Sequence, residues 1–258
     1  MCRPKFPLTD GHFAIRLNDP SIAFDAASAA DLLHCYRRLR RVLAALVGAS
    51  GAQLYMALNW QPVGDSIGEP LAETSTPTLH AFFDWPGGTT AAAALSLPAH
   101  ERVAVADIAE LDGTLRRRLA GDNDRVPLVL ESPPNEGGTP GDPRAFRIEP
   151  SAPAPGQPFR GGHWTAAHRN HVKTLDEVAP LDVLELARSV EGLRSHSRPQ
   201  FSGLTLWAVD VWNASTPATV NIFGRRHGDT AQLVAGFVTS GGLGRPATSV
   251  PRSPTLEG

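Results

Sequence analysis

Ser50-Gly51-Ala52-Gln53-Leu54-Tyr55 and Ser202-Gly203-Leu204-Thr205-Leu206-Trp207 read as two versions of one strand, and the chain around them repeats as well. Downstream, Trp60 falls on Trp212, and Ser75-Thr76-Pro77 falls on Ser215-Thr216-Pro217. Upstream, a constant offset of 151 carries Gly11-His12-Phe13 onto Gly162-His163-Trp164, Asp25 onto Asp176, Asp31 onto Asp182 and Leu33 onto Leu184. The first copy then holds twelve extra residues, within 61–74. A module present twice predicts two halves about a pseudo-two-fold axis, with a ligand site beside the seam.

Each copy reads as strand, helix, strand, strand, which predicts an α+β fold of antiparallel sheets with packed helices. Residues 11–17 form the first short strand. From 29 to 47, Leu33, Tyr36, Leu39, Leu43 and Leu46 recur at three- and four-residue steps, the spacing of an amphipathic helix. The other face carries Arg37, Arg38, Arg40 and Arg41 and is read as solvated rather than phosphate-binding. Ala52–Leu58 and Thr78–Phe83 are predicted strands on either side of a Gly/Pro-punctuated loop at 60–77, the second stopped near Pro86-Gly87-Gly88. In the second copy, 163–168 is the opening strand and Leu181–Leu193 a helix burying Leu184, Leu186, Val190 and Leu193, its start marked by Asp176 or Pro180. Leu204–Val211 and Thr219–Phe223 are the closing strands. Residues 102–131 predict a short strand, a helix with Arg116-Arg117-Arg118 and the apolar run Val126–Leu130. The boundaries expected are a first, catalytic module with its extension at 1–131, a Pro/Gly-rich linker at 132–159, a second module at 160–239 and a disordered tail at 240–258.

A formal net charge of -2 over 258 residues argues against a nucleic-acid partner. All but Lys5 and Lys173 of the 24 basic residues are Arg, a preference that suits phosphate recognition but follows equally from genome base composition. Cys2 and Cys35 are too few for a disulfide framework or, by themselves, a zinc site. With no apolar run of membrane-spanning length and no secretory leader pattern, the expected setting is cytoplasmic, without a membrane partner. The patterns of phosphate-cradling glycine loops, dinucleotide folds, nucleophile elbows and zinc proteases are all missing from the sequence.

Chemistry concentrates in Thr74-Ser75-Thr76-Pro77-Thr78-Leu79-His80-Ala81-Phe82-Phe83. A His on a short strand after a Ser/Thr-rich turn can present one imidazole nitrogen to a substrate while a main-chain carbonyl holds the other. A neutral imidazole so held can attack phosphorus, with the hydroxyls of Ser75, Thr76 and Thr78 binding phosphate oxygens. The plain alternatives stay open: His80 as a packed strand residue, and Asn59 and Ser75 as the closing groups of a strand and a turn. Trp60, Phe82, Phe83 and Trp85 suit a core, or stacking on a base. Asp65 and Glu69 suit a solvated loop, or a metal or sugar contact. His163, His168 and His171 lie at spacings that scatter them over different faces of an extended strand, against one shared metal.

The stretch Ser75-Thr76-Pro77-Thr78-Leu79-His80-Ala81-Phe82 resembles the Ser-x-Pro-His-x-His-x-Gln motif of the galactose-1-phosphate uridylyltransferase branch of the histidine-triad superfamily, which also includes dinucleoside polyphosphate phosphorylase-like members. Gly162-His163-Trp164 resembles the opening Gly-His strand of such modules, with His171 as the following His, and Tyr55-Met56-Ala57-Leu58-Asn59 resembles their Asn-ended strand. The resemblance covers roughly 11–86 and 160–229. Two positions depart from it, Thr78 for the first His and Phe82 for the Gln. It implies an enzyme with tandem modules: a nucleotidyltransferase, phosphorylase or hydrolase acting at the α-phosphate of a nucleotide or nucleotide-sugar through a covalent nucleotidyl-His80. Asn59, Ser75, Thr76 and Thr78 would contact nucleotide and phosphate, and His171, Asn221, Arg225 and Arg226 would be contacts from the second module. No cofactor is implied, and nothing supports a divalent metal. The alternatives are a non-catalytic nucleotide- or partner-binding descendant, and a specialised biosynthetic enzyme using the same pocket. Oligomeric state is left open.

Overall fold

The heptad-like run on the first helix becomes α1 (Ala26–Val47), three residues longer at its start than the periodicity alone defines. Asp25 supplies that start, its carboxylate accepting the Ser28 N–H at 2.8 Å, and Gly48 closes the other end at φ 70°. The computed structural model describes residues 1–19, 23–59, 78–97, 101–121, 145–151, 162–213, 215–227 and 237. Its strands are β1 (His12–Ile15), β2 (Gly51–Asn59), β3 (Leu79–Asp84), β4 (Phe146–Pro150), β5 (His163–His168), β6 (Phe201–Val211) and β7 (Thr219–Arg226). The remaining helices are α2 (Ala91–Ser96), α3 (Ala109–Gly121) and α4 (Pro180–Ser197). Together they form a mixed α/β fold around one antiparallel, open, seven-stranded sheet in the order β1-β3-β2-β6-β7-β5-β4.

Alternation along the strands divides the core between two faces. On one, Tyr36, Leu39 and Leu43 of α1 pack on Phe13, Ile15, Leu54, Ala81 and Phe83, and Leu115 of α3 joins them. The same face continues to α4, where Leu186, Val190 and Leu193 meet Ala166, Leu204 and Ile222. On the opposite face Tyr55, Ala57, Phe82, Trp207 and Phe223 pack beneath Ala91 and Leu95 of α2, with Leu8 and Phe237.

Several local readings are revised by this packing. Arg37 and Arg40 are not a plain solvated stripe: Arg37 donates to the carbonyls of Asp176 and Val178 at 2.8 and 2.9 Å, and Arg40 meets the Asp176 carboxylate at 2.7 Å while lying over the Trp212 ring. They tie α1 to a 3-10 turn at Leu175–Glu177. Of the two suggested helix starts, Pro180 heads α4, and Asp176 lies inside that separate turn. Strand β4 lies inside the stretch read as linker; Phe146 turns inward and Arg147 outward, and Pro150 ends the strand on a sheet edge, where a missing N–H costs least. Residues 102–108 form no strand, and the run Val126–Leu130 lies outside the described residues.

A buried polar joint holds α1 to the sheet. The Tyr36 hydroxyl donates to one oxygen of Asp210 on β6, and the Leu175 N–H donates to the other at 3.2 Å. Burial pushes the Asp210 carboxyl above its ordinary value, with Tyr36 and Leu175 working the other way. It also pushes the Tyr36 phenol well up.

Gly11 lets the chain enter β1. A Cβ there would lie 2.0 Å from the Phe83 carbonyl oxygen, closer than any contact allows. Gly11→Ala is expected to force β1 away from β3 and cost about 2 kcal/mol, read as a lower urea midpoint. An unchanged midpoint would show that this approach is not what holds the edge strand.

Candidate active site

One row of residues crosses six strands on the face beneath α2: Ala14, His80, Tyr55, Trp207, Asn221 and Thr165, each opposite the next in register. His12 stands opposite Phe82 and reaches diagonally along that face to His80. Its Nε2 lies 2.9 Å from Nδ1 of His80, while its Nδ1 accepts the Leu8 N–H at 3.2 Å. The His12 ring stacks on Phe82 at 4.2 Å between centroids, and Tyr55 flanks His80 at 5.9 Å.

Burial, reinforced by His80 and Arg3, pushes the His12 pKa down to about 2. The ring is therefore neutral throughout the physiological range. Arg3 approaches from the main chain of this turn, donating to the carbonyls of Asp10 and His12 and pairing with Asp112 at 2.8 Å.

The far side of the row carries a second such pair. His163 Nε2 lies 3.0 Å from Oδ1 of Asn221, and the His163 ring stacks on Phe223 at 4.6 Å. Burial lowers the His163 pKa, partly offset by the Asn221 hydrogen bond.

Of the residues predicted from sequence, His80 lies in this row, and Asn221 joins it from the second half. Thr78 is buried immediately before β3. Asn59 closes β2, four residues beyond Tyr55 and about 13 Å along the strand. Asn59 is opposite Gly203, which in turn is opposite Arg225, so these three make a second row. The Arg225 Nε donates to the Ser202 hydroxyl at 3.2 Å, and Arg226 is exposed. His171 is exposed in the turn after β5, at φ 52°, and is not part of either row. Ser75 and Thr76, with Trp60, Asp65 and Glu69, lie outside the described residues.

The sequence reading expects a main-chain carbonyl on one ring nitrogen of His80; the structure puts the imidazole of His12 on Nδ1, because β1 pairs with β3 in the register that brings the two rings to one face. His12 itself was legible only as repeat scaffold; its signal was the recurrence of Gly11-His12 as Gly162-His163. His163 and His168 point to opposite faces of β5: His168 bonds Asp182 at 3.1 Å, and Asp182 also accepts the Ala179 N–H at the head of α4. That places His168 in the framework. Among the described residues no three His, Cys, Asp or Glu side chains gather to hold a metal ion, and no described helix is long and apolar enough to cross a membrane.

No protein-family model matches the chain, and no curated protein matches it. Among solved structures, one described as "Structure of uridylyltransferase" resembles it with a TM-score of 0.42 at 11% identity, over 83% of this chain. The chain spans 63% of that structure's own length.

Proposed function

We propose that this protein is a tandem histidine-triad-like enzyme that takes a nucleotide or nucleotide-sugar on the His80 face of the sheet and acts at its α-phosphate. The observation carrying this reading is that the motif histidine, His80, has one ring nitrogen fixed by a second buried, neutral histidine. In the covalent form of the reaction, an imidazole nitrogen of His80 forms a bond to the α-phosphorus as the bond to the leaving oxygen breaks, that oxygen departing with the electron pair. Water, phosphate or a sugar phosphate then displaces the histidine. Asn59 would serve ribose or phosphate, and Ser75, Thr76 and Thr78 the phosphate oxygens, with Arg225 as a cation from the second half and Asn221 opposite His80 in the row. His171 and Arg226 would act only at the rim.

The strand order supports the duplication this reading needs. Outward from the β2–β6 contact it runs β2-β3-β1 on one side and β6-β7-β5 on the other. Tyr55 and Trp207, equivalent in the sequence repeat, face each other across that contact. Asn221 takes in β7 the place of His80 in β3, one residue from where the Ser-Thr-Pro alignment would put it.

A second reading, a non-catalytic nucleotide- or partner-binding protein, is favoured by the surroundings of His80. The ring is only 7% exposed, beside an apolar cluster, with Thr78 and Phe82 in the family's other functional positions. Incubation with labelled nucleoside diphosphate sugars and dinucleoside polyphosphates separates the two. The enzyme is expected to yield an acid-labile adduct that His80→Ala loses. Calorimetric binding without turnover would establish the second reading, and equal labelling of both proteins would remove His80 as nucleophile.

A further inference from the structure

We infer that β4 is the edge through which two copies of this chain pair, antiparallel and centred on Ile148, into one continuous sheet. At the opposite border the outward main-chain groups of β1 are already taken. Ala14 exchanges hydrogen bonds with Cys2 at 2.9 and 2.8 Å, and the His12 N–H donates to the Thr9 carbonyl at 3.1 Å. Among the described residues β4 pairs with β5 alone, and its Arg147, Glu149 and Pro150 are exposed.

The ladder shows which groups of β4 face outward. The Arg169 N–H donates to the Ala145 carbonyl at 2.8 Å, and the Ser151 N–H to the His163 carbonyl at 2.9 Å. Bonded residues alternate in an antiparallel pair, so Arg147 and Glu149 turn their main-chain groups to β5, while Phe146, Ile148 and Pro150 turn theirs away from it. A second copy centred on Ile148 uses those groups. Ile148 exchanges N–H and carbonyl with its counterpart, and each Phe146 N–H meets the Pro150 carbonyl of the other copy. Pro150, lacking an N–H, leaves only the Phe146 carbonyl without a strand donor.

Charges and a proline on a short edge strand ordinarily blunt it against pairing. Here the charges have opposite signs and stand symmetrically about Ile148, where Arg147 and Glu149 already form an ion pair within the strand. The proposed pairing sets Arg147 opposite Glu149 of the second copy, and the reverse. Sliding the copies by two residues in either direction sets Arg147 against Arg147 or Glu149 against Glu149, so charge selects the register. On the other face Phe146, Ile148 and Pro150 border a cavity of about 350 Å³ with Trp164 and Leu193. The same apolar row of the second copy lies beside it in this arrangement.

The test is sedimentation velocity of the full-length chain from about 1 to 100 µM, because so short an edge buries little area and fits a weak, micromolar association. A monomer–dimer equilibrium is expected. Arg147→Glu and Glu149→Arg each replace opposite charges by like ones across the seam and should raise the dissociation constant about tenfold or more. The double variant restores the complementarity and should restore the dimer. Amide hydrogen exchange on the wild type reads the same contact without substitution: Ile148 and Phe146 should gain protection with concentration, while Arg147 and Glu149, bonded to β5, should not. A monomer at every concentration, a dimer indifferent to both single reversals, a double variant that stays dissociated, or exchange at Ile148 that ignores concentration would each overturn the proposal. If a reversal does not fold, the wild-type sedimentation and exchange decide it.

Discussion

Asp210→Ala is expected to lower the unfolding free energy by about 3 kcal/mol, read as a drop in urea midpoint with little change in slope. The substitution strands the buried Tyr36 hydroxyl and the part-buried Leu175 N–H, which the carboxylate now accepts on separate oxygens. Each stranded donor costs its desolvation, and relief of the buried charge offsets only part of the sum. Asp210→Asn is expected to cost less, since it keeps an oxygen for Tyr36. It should also alter the dependence on pH. Burial raises the folded-state pKa of Asp210, so its contribution to stability is fully present below the unfolded carboxyl value and is lost as pH rises through the raised one. Asn has no such titration. Equal stability of Asp210→Ala and wild type would mean that the joint between α1 and β6 is held by apolar packing alone.

Acidification is expected to produce the other large effect, with His12 as its source. Its pKa falls from an ordinary 6.5 to about 2 in the fold, chiefly through burial. The stabilising contribution is therefore complete above the unfolded value and is lost as pH falls through the interval between the two. From pH 6.5 to about pH 4 the loss is about 3 kcal/mol. His163 adds to it in the same direction. Asp210 opposes it above the unfolded carboxyl range, so the wild-type curve reports a difference of slopes. Urea midpoints in a buffered series for wild type and His12→Phe separate the terms: the variant should have the lower midpoint at neutral pH and a much flatter acid limb. Parallel acid limbs would assign the effect elsewhere.

The strands and the two long helices were legible because each carries its period openly. Leu33, Tyr36, Leu39 and Leu43 mark one helix face, and the paired Ser-Gly-led runs mark two strands that prove to be neighbours. Asn59 and Asn221 could be located from the motif and the repeat. What sequence did not disclose was the helix packed on the Tyr55 and Phe82 side of the sheet. Ala91-Ala92-Ala93-Ala94-Leu95 has no polar face to give it a helical period, so α2 and its seat on the site face were missed. Strand β4 shows little more than the alternation of Phe146 and Ile148 within a Pro/Gly-rich stretch. The partnership of His12 and His80 depends on which residue of β1 lies opposite which residue of β3, a register set by packing over 68 residues of separation. The same limit concealed Asp210 and Tyr36, two unremarkable letters 174 positions apart.

Every residue of β2 from Gly51 to Asn59 faces a partner on β6. A joint stitched along its entire length has no pivot, so the two halves of the sheet cannot swing against each other like a jaw. They make one continuous floor, and the short helix at 91–96 rests on its Tyr55 and Phe82 side.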